Sequence, residues 1–205
     1  IAKEQNKKFS ISIYGQELQP ETYAISKADL LLQGEGGSAS NIAFGSTLSA
    51  DGFNKMNFDF MLSNHPYGKN WKVCKDKMSD DKGVIKDSRF VINYNNNPEY
   101  SMVPSVDDGQ LLFLMNNVSK MVSNTELGSR IVEVHNGSSL FTGDAGQGTT
   151  NARQYMFEQD LVEAIVALPL NMFYNTGIAT YIWVLTNKKP EHKKGKVQLI
   201  DATSM

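Results

Sequence analysis

Strand-like segments alternate with helix-like segments along this chain, and this alternation is the strongest constraint on its fold. The strand-like segments are short and rich in β-branched or aromatic residues, whereas the segments between them repeat apolar residues at helical spacing. This order predicts an α/β fold with a mostly parallel sheet, closed at its C-terminal edge by antiparallel strands. Strands are predicted near residues 9–15, 41–48, 57–64, 130–134, 162–168, 180–186 and 196–201. Helices are predicted from Pro20 to Gly34, after the capping pair Asp107-Asp108, and over 151–159.

Local signals add detail at three places. Pro and Glu at positions 20 and 21 suit the first turn of a helix, and Gly34 suits its end. Residues 57–64 form a near-continuous apolar stretch, which is typical of a strand buried on both faces. Residues 68–106 are rich in Lys, Asp, Asn and Gly, so we interpret them as a long polar loop, either functional or mobile.

Composition excludes several classes of protein and site. The 205 residues carry a net charge of −2, so DNA affinity would need a local basic patch or a partner subunit. The single Cys74 excludes a disulfide framework, and three scattered histidines argue against a metal site. No apolar run is long enough to span a membrane, and no signal segment precedes the first strand, so we expect a cytoplasmic protein. The chain lacks an initiator Met, so we expect it to begin inside a longer protein.

The segment Asn64-His65-Pro66-Tyr67 carries the strongest functional signal. It follows a predicted strand, and ligands of α/β sheets bind at the carboxyl ends of strands. An amide oxygen, a backbone carbonyl and an aromatic ring can together hold a planar amine. A simple turn between strand and loop remains the alternative, because Asn and Pro favour turns.

This tetrapeptide resembles the Asn-Pro-Pro-(Phe/Tyr) signature of methyltransferases that modify exocyclic or amide nitrogens. The surrounding segments resemble the modification subunit of type I restriction–modification systems, in order and over essentially the whole chain. One of them reads Gly-Gln-Glu-Leu-Gln-Pro-Glu-Thr-Tyr-Ala at residues 15–24. The others lie at residues 58–64, 136–143, 161–169, 171–178 and 193–202.

The resemblance implies a Rossmann-like class I methyltransferase fold and transfer of a methyl group from S-adenosylmethionine to N6 of adenine in DNA. It assigns Asn64, His65, Pro66 and Tyr67 to catalysis. The Asn64 side chain and the His65 carbonyl would accept from the amine of an adenine flipped out of double-stranded DNA. Tyr67 would stack on that base.

The resemblance also implies residues for the cofactor. Glu17 ends the first predicted strand, where an acidic residue commonly holds ribose hydroxyls. Phe173 is a candidate second face for the flipped base, although an aromatic residue that anchors a hairpin to the core is an equal alternative. The residues assigned to cofactor binding are Glu17, Leu18, Ser46, Thr47 and Asn64.

The sequence departs from the family pattern in two respects. His65 stands where the family has Pro, which keeps the backbone carbonyl but loses the restraint on φ. We do not expect His65 to bind a metal, because no second His or Cys lies nearby in sequence. The family's Asp-Pro-X-Cys-Gly-X-Gly cofactor loop is absent, so residues 1–205 are interpreted as a partial catalytic domain without the first strand. The glycine-rich residues 143–148 are interpreted as a flexible connection rather than its replacement.

The implied partners are a specificity subunit and a restriction subunit, with two modification subunits in each complex. Two other hypotheses remain open. The tetrapeptide also occurs in protein-glutamine methyltransferases. The missing loop and His65 also fit a non-catalytic fragment that only scaffolds an assembly.

Overall fold

The computed structural model describes residues 11–174 and 176–205. The chain groups into two compact units, Ile1–Asn54 and Lys55–Met205. The first contains β1 (Gly15–Glu17), α1 (Pro20–Leu32), α2 (Gly36–Ser40) and β2 (Ile42–Phe44). The second contains β3 (Phe60–Asn64), α3 (Lys72–Met78), β4 (Val91–Tyr94), β5 (Asn97–Ser101), α4 (Gln110–Val118), β6 (Arg130–Asn136), α5 (Ser138–Phe141), α6 (Gly148–Glu158), β7 (Val162–Ala167), β8 (Thr180–Thr186), a 3-10 turn (Glu191–Lys193) and β9 (Gln198–Asp201).

The first unit is a pair of parallel strands joined by two helices. Gly15 pairs with Ile42 and Glu17 with Phe44, so both strands end at the same edge. Pro occupies the first turn of α1, as predicted, because its missing N–H would have no helical partner there. Gly34 follows the helix with φ of +78°, a conformation that favours glycine.

Two expectations for the first unit need correction. The strand predicted at residues 9–15 begins only at Gly15, where the ladder with β2 starts; Phe9 lies outside the described residues. The apolar side predicted for α1 is not covered within the described chain, since Ile25 is 54% and Leu32 is 85% exposed. Helical periodicity identified the helix but not whether its apolar side is buried.

The second unit is built on a five-stranded sheet in the order β3-β6-β8-β7-β9. β3 and β6 are parallel, as are β7 and β9, and β8 is antiparallel to both β6 and β7. Four strands therefore share one direction and their carboxyl ends share one edge. The mostly parallel α/β sheet is confirmed, and its antiparallel strand, β8, is the middle strand of the five.

The prediction that residues 57–64 are buried on both faces is wrong. Met61 is 8% exposed, whereas Phe60 and Leu62 are 73% and 82% exposed. Alternate side chains of a strand point to opposite faces, so only one face of β3 is covered in the described chain. β3 also stands at the end of the strand order, with β6 as its neighbour.

The prediction of one long polar loop at residues 68–106 is also wrong. The segment contains α3 and the β4–β5 hairpin, which turns through Asn95 and Asn96 at φ of 50° and 61°. Asparagine tolerates this left-handed conformation better than most residues. The apolar residues that bury the segment are far apart and follow no period, so the pattern did not show them. They are Trp71, Ile85, Phe90, Tyr100 and Met102.

Helix α4 supplies much of the buried core of the second unit. Leu111, Leu112, Leu114 and Met115 are at most 2% exposed. The predicted capping is met in part, since the Asp108 carboxylate accepts the first helical N–H at 3.2 Å although α4 begins only at residue 110. Within the described residues no helix has both the length and the apolar character needed to cross a membrane.

We expect Gly148→Ala to destabilise the second unit. A Cβ at Gly148 would lie 1.8 Å from the Val103 carbonyl oxygen, so the backbone would have to shift, at a cost of about 1–3 kcal/mol. Gly137→Ala is the matched control, because its Cβ would meet only side-chain atoms at 3.5 Å or more. Urea unfolding of both variants measures the difference. Equal midpoints for the two variants would contradict the close approach.

Candidate active site

Asn64 and Tyr67 are held together at the carboxyl end of β3. The Tyr67 hydroxyl donates to Asn64 Oδ1 at 2.6 Å. Asn64 is exposed and Tyr67 is half-buried. An amide oxygen has two lone pairs, so Asn64 can accept a second hydrogen bond from a ligand amine. Burial raises the pKa of Tyr67, so its hydroxyl stays protonated and remains a donor at neutral pH.

The His65 side chain points into the protein while its neighbour Asn64 faces solvent. Its ring stacks on Phe113, with centroids 5.2 Å apart and planes 6° apart. The Tyr67 ring meets it edge-on at 5.7 Å. In the tetrapeptide, His65 is therefore anchored in the core, whereas Asn64 is exposed and Tyr67 is half-buried.

A buried group of polar side chains surrounds His65. His65 Nε2 lies 3.2 Å from Glu133 Oε1, and His135 Nε2 lies 3.3 Å from the same oxygen. Burial raises the pKa of Glu133, but the two facing imidazoles outweigh burial and hold that pKa below its ordinary value. Burial lowers the pKa of His135 despite the nearby carboxylate, which favours the neutral ring.

His65 has no second His or Cys nearby in sequence, but it has one nearby in space. In the folded chain, β3 and β6 are adjacent, and the second histidine comes from β6. The sequence contained a signal for this buried polar group. Glu133 and His135 occupy alternate positions of a strand whose core face otherwise carries Ile131.

Gln110 links the start of α4 to the carboxyl end of β6. Its amide nitrogen donates to Asp108, Asn136 and Ser138 at 2.6 to 2.8 Å. Its amide oxygen faces His135 Nδ1 at 3.1 Å and accepts the Asn136 N–H at 3.3 Å. The network fixes the loop that follows β6, beside the strand that carries Asn64.

Phe173 lies in the connection between β7 and β8. Asn64 is in register with Val134, which pairs with Ile182, which in turn pairs with Val166. The connection after β7 therefore leaves the same sheet edge as Asn64. Phe173 is half-buried, and no ring contact in the described part of the chain joins it to Tyr67. Its role as a second stacking face remains a prediction.

The first unit brings together the four residues assigned there to the cofactor: Glu17, Leu18, Ser46 and Thr47. Gly45 donates its N–H to the Glu17 carbonyl at 3.0 Å, so the turn after β2 lies against the end of β1. The Glu17 carboxylate accepts the Gln19 N–H through Oε1 at 2.9 Å, and its second oxygen can accept from a ligand. Leu18 is 55% exposed. These four positions share one edge, and their ligand remains a prediction.

The glycine-rich segment at residues 143–148 is an anchored connection between α5 and α6. Arg153 donates to the Thr142 carbonyl at 2.6 Å and to the Ser139 carbonyl at 3.1 Å. Asn151 donates to the Gly146 carbonyl at 3.4 Å. Side chains of α6 therefore tie this connection near both of its ends, and its flexibility stays a prediction.

Lysines near the C-terminus are engaged within the protein. Lys189 contacts Asp160 at 2.5 Å, and Lys193 contacts Glu163 at 2.7 Å. Glu163 also pairs with Arg130 at 2.8 Å. These cations stabilise the turn before β9, and their carboxylate partners weaken any attraction for phosphate.

Comparison with known proteins decides the family. The sequence matches the N-6 DNA Methylase family over residues 1–205. The chain belongs to the N-6 DNA methylase family.

The expected resemblance to modification subunits of type I systems is confirmed by its relatives. It is 27% identical to the type I restriction enzyme MjaIX methylase subunit of Methanocaldococcus jannaschii, over 95% of this chain and 31% of that protein. It is 28% identical to the type I restriction enzyme MpnII methylase subunit of Mycoplasma pneumoniae, over 95% of this chain and 33% of that protein. The chain spans about a third of the length of these relatives.

Solved structures place the N-6 DNA methylase chain in the same fold class. The type I restriction-modification methyltransferase subunit from Streptococcus thermophilus superimposes with a TM-score of 0.74 at 21% identity, covering 98% of this chain and 38% of that one. A putative class I S-adenosylmethionine-dependent methyltransferase from Listeria monocytogenes gives 0.56 at 13% identity, covering 98% and 52%. The expected Rossmann-like class I methyltransferase fold is confirmed.

We expect Glu163→Gln to cost about 1 kcal/mol of unfolding free energy at pH 7, since it weakens the hydrogen bond from Lys193 and the ion pair with Arg130, both partly exposed cations. The hydrogen bond from Lys193, with Arg130 nearby, lowers the pKa of Glu163 against the opposing effect of burial. A lowered pKa means that the stabilisation is present above the ordinary value of 4.5 and is lost as pH falls through the folded value.

Denaturant unfolding of the parent and of Glu163→Gln between pH 7 and pH 3 measures this difference. Glu191→Gln is the control, because Glu191 is 87% exposed beside Lys194 and its loss should change little. A cost for Glu163→Gln that stayed constant across the whole pH range would exclude the carboxylate's charge as its source.

Proposed function

We propose that this chain is part of the catalytic domain of a type I modification subunit and transfers a methyl group from S-adenosylmethionine to N6 of adenine in DNA. The observation that carries the proposal is the exposed Asn64 amide at the carboxyl end of β3, beside Tyr67, in a member of the N-6 DNA methylase family. That family and the class I fold support methyl transfer, and the names of the relatives support DNA as the substrate.

Asn64 and the His65 carbonyl accept the two N–H bonds of the target amine. Both contacts favour the nitrogen lone pair pointing at the methyl donor. Tyr67 releases or shares Asn64 Oδ1 when the base enters, and its ring stacks on the base. The chain supplies orientation and electrostatic stabilisation, and no covalent intermediate is required.

The residues of the first unit fit part of the cofactor. A carboxylate at the end of a parallel strand suits ribose hydroxyls, and Glu17 is half-buried at that place with one oxygen already fixed by Gln19. Bound S-adenosylmethionine would supply an electrophilic methyl group. Glu17 would hold its ribose, and Ser46 and Thr47 would lie beside its adenine.

We propose further that the subunit acts in a cytoplasmic complex with a specificity subunit, a restriction subunit and a second modification subunit. The modest net charge of −2 supports this division, because sequence reading would lie with a partner. Transfer to a protein glutamine is the weaker candidate, since the relatives are named for restriction enzymes. A non-catalytic scaffold is the outcome if neither substrate is methylated.

We expect Asn64→Ala to lower methyl transfer to DNA by at least about 100-fold in the full-length subunit assembled with its specificity subunit, because an oriented polar contact to the reacting group is lost. Transfer of a radiolabelled methyl group to DNA carrying the recognition sequence measures the effect. A protein substrate with an accessible glutamine is assayed in parallel.

Asn70→Ala is the matched control for this variant. Asn70 is exposed in the loop after the tetrapeptide and makes hydrogen bonds with Lys72 and Asp107. Both variants must keep the parent's circular dichroism. Parent-like turnover by Asn64→Ala would remove the assignment, and transfer to glutamine rather than DNA would favour the weaker candidate.

We expect Glu17→Ala to weaken S-adenosylmethionine binding by about 10-fold or more in the full-length subunit, with little change in DNA affinity, because a charge-assisted hydrogen bond is worth about 1.5–3 kcal/mol. Calorimetric titration measures the cofactor affinity. Glu21→Ala, on the exposed first turn of α1, is the control. If both variants bind the cofactor as the parent does, the ribose assignment fails.

A further inference from the structure

Three buried ligand atoms converge beside the tetrapeptide. His65 Nε2, His135 Nε2 and Glu133 Oε1 all lie within 4.8 Å of one another, and their side chains are 1%, 0% and 0% exposed. The two nitrogens stand 3.2 and 3.3 Å from the oxygen. Neither contact has hydrogen-bond geometry, and all three atoms lack a hydrogen-bond partner. Buried polar atoms without partners are rare and call for an explanation.

The hydrogen bonds around His135 define its tautomer. Its Nδ1 lies 3.1 Å from Gln110 Oε1. That atom is an oxygen, because it also accepts the Asn136 N–H, while the amide nitrogen of Gln110 donates elsewhere. His135 must therefore carry its proton on Nδ1, and the neutral ring presents the Nε2 lone pair to Glu133.

His65 repeats this arrangement from the neighbouring strand. Its Nδ1 lies 3.3 Å from the Pro66 carbonyl, which can only accept. With its proton on Nδ1, the ring also presents its Nε2 lone pair to Glu133 Oε1. The second oxygen of Glu133 accepts from Asn117 Nδ2 at 2.8 Å, so the carboxylate is held in place. In these tautomers three electron-rich atoms face one another, and a cation between them, either a bound metal ion or a proton on an imidazole, would remove the repulsion.

The two separations that involve Glu133 are compatible with a bound metal ion. Zinc binds imidazole nitrogen and carboxylate oxygen at about 2.0–2.2 Å, so two ligands of a tetrahedral site stand about 3.3–3.5 Å apart. The measured separations of 3.2 and 3.3 Å are close to this value. Each ligand also has the outer contact typical of metal sites, a second ring N–H on a carbonyl oxygen or an amide on the carboxylate.

We propose that His65, Glu133 and His135 bind a divalent transition-metal ion of the zinc class. Two imidazoles and one carboxylate suit zinc or ferrous iron rather than magnesium or calcium. Three protein ligands leave one position for a solvent molecule. The site joins the end of β3, immediately after Asn64, to β6. The metal bonds would fix the backbone at position 65, where the family has a proline that restrains it.

Metal titration of the chelator-treated protein tests the site. Cobalt(II) chloride is added while visible absorption is followed, zinc chloride is then used to displace it, and zinc content is measured by mass spectrometry after desalting. We expect one metal ion per chain, a cobalt spectrum typical of four-coordinate nitrogen and oxygen ligands, and a higher melting temperature with zinc. These readouts need no variant.

Variants identify the ligands. We expect His65→Pro and Glu133→Gln to weaken zinc binding by at least about 100-fold, more than the loss of an outer contact does. His192→Ala is the control, since His192 is exposed in the turn before β9 and should not matter. His65→Pro places the family's residue at this position, so the fold should tolerate it, and circular dichroism checks this.

The proposal is overturned if the parent takes up no more zinc than His65→Pro, if the loss of His192 abolishes uptake, or if zinc leaves the melting temperature unchanged. The first and third results would mean that protonated imidazoles neutralise Glu133, and the second would mean that the metal binds at His192. Methyl transfer is not a readout here, so failure of this site and failure of the proposed function are distinguishable.

Discussion

The arrangement around the candidate site depends on burial of one carboxylate. Glu133 lies on the core face of β6, fully buried, between Ile131 and His135. An isolated charge in that position would cost several kcal/mol, so its surroundings must compensate. Asn117 holds one oxygen and two imidazoles face the other. This requirement links α4, β6 and the tetrapeptide, and it explains why a strand at the centre of the second unit carries polar residues on its covered face.

Strand direction then decides which residues can act together. Parallel strands place the residues that follow them at one edge, whatever their separation in sequence. β1 and β2 bring Glu17 to the turn that carries Ser46 and Thr47. In the second unit, one sheet edge carries Asn64 after β3, the Gln110 network after β6 and the connection with Phe173 after β7. Each group combines acceptors with an exposed approach, which recognition of a polar ligand requires.

Features set by local chemistry were predictable from the sequence. Pro20 and Gly34 define α1 because a missing N–H and a positive φ act at single residues. The position of the tetrapeptide at the carboxyl end of β3 was also predictable, because the apolar stretch stops there, whereas its role stays a prediction. Tertiary features were not. Trp71, Phe90 and Met102 build a core without any period, and His135 reaches His65 only because two distant strands pair.

His65 of the tetrapeptide links the end of β3 to the core of the second unit. A proline at position 65 would restrain the backbone through its own ring, independently of any neighbour. Histidine has no such restraint, and its ring must be placed by packing. Phe113 stacks on one face, Tyr67 meets its edge, and Glu133 faces its Nε2 atom. Position 65 is thus restrained by contacts of its side chain in the core, which β6 provides, rather than by a ring in the local backbone. Because Asn64 precedes His65 directly, the orientation of its amide depends on how firmly that buried group is held.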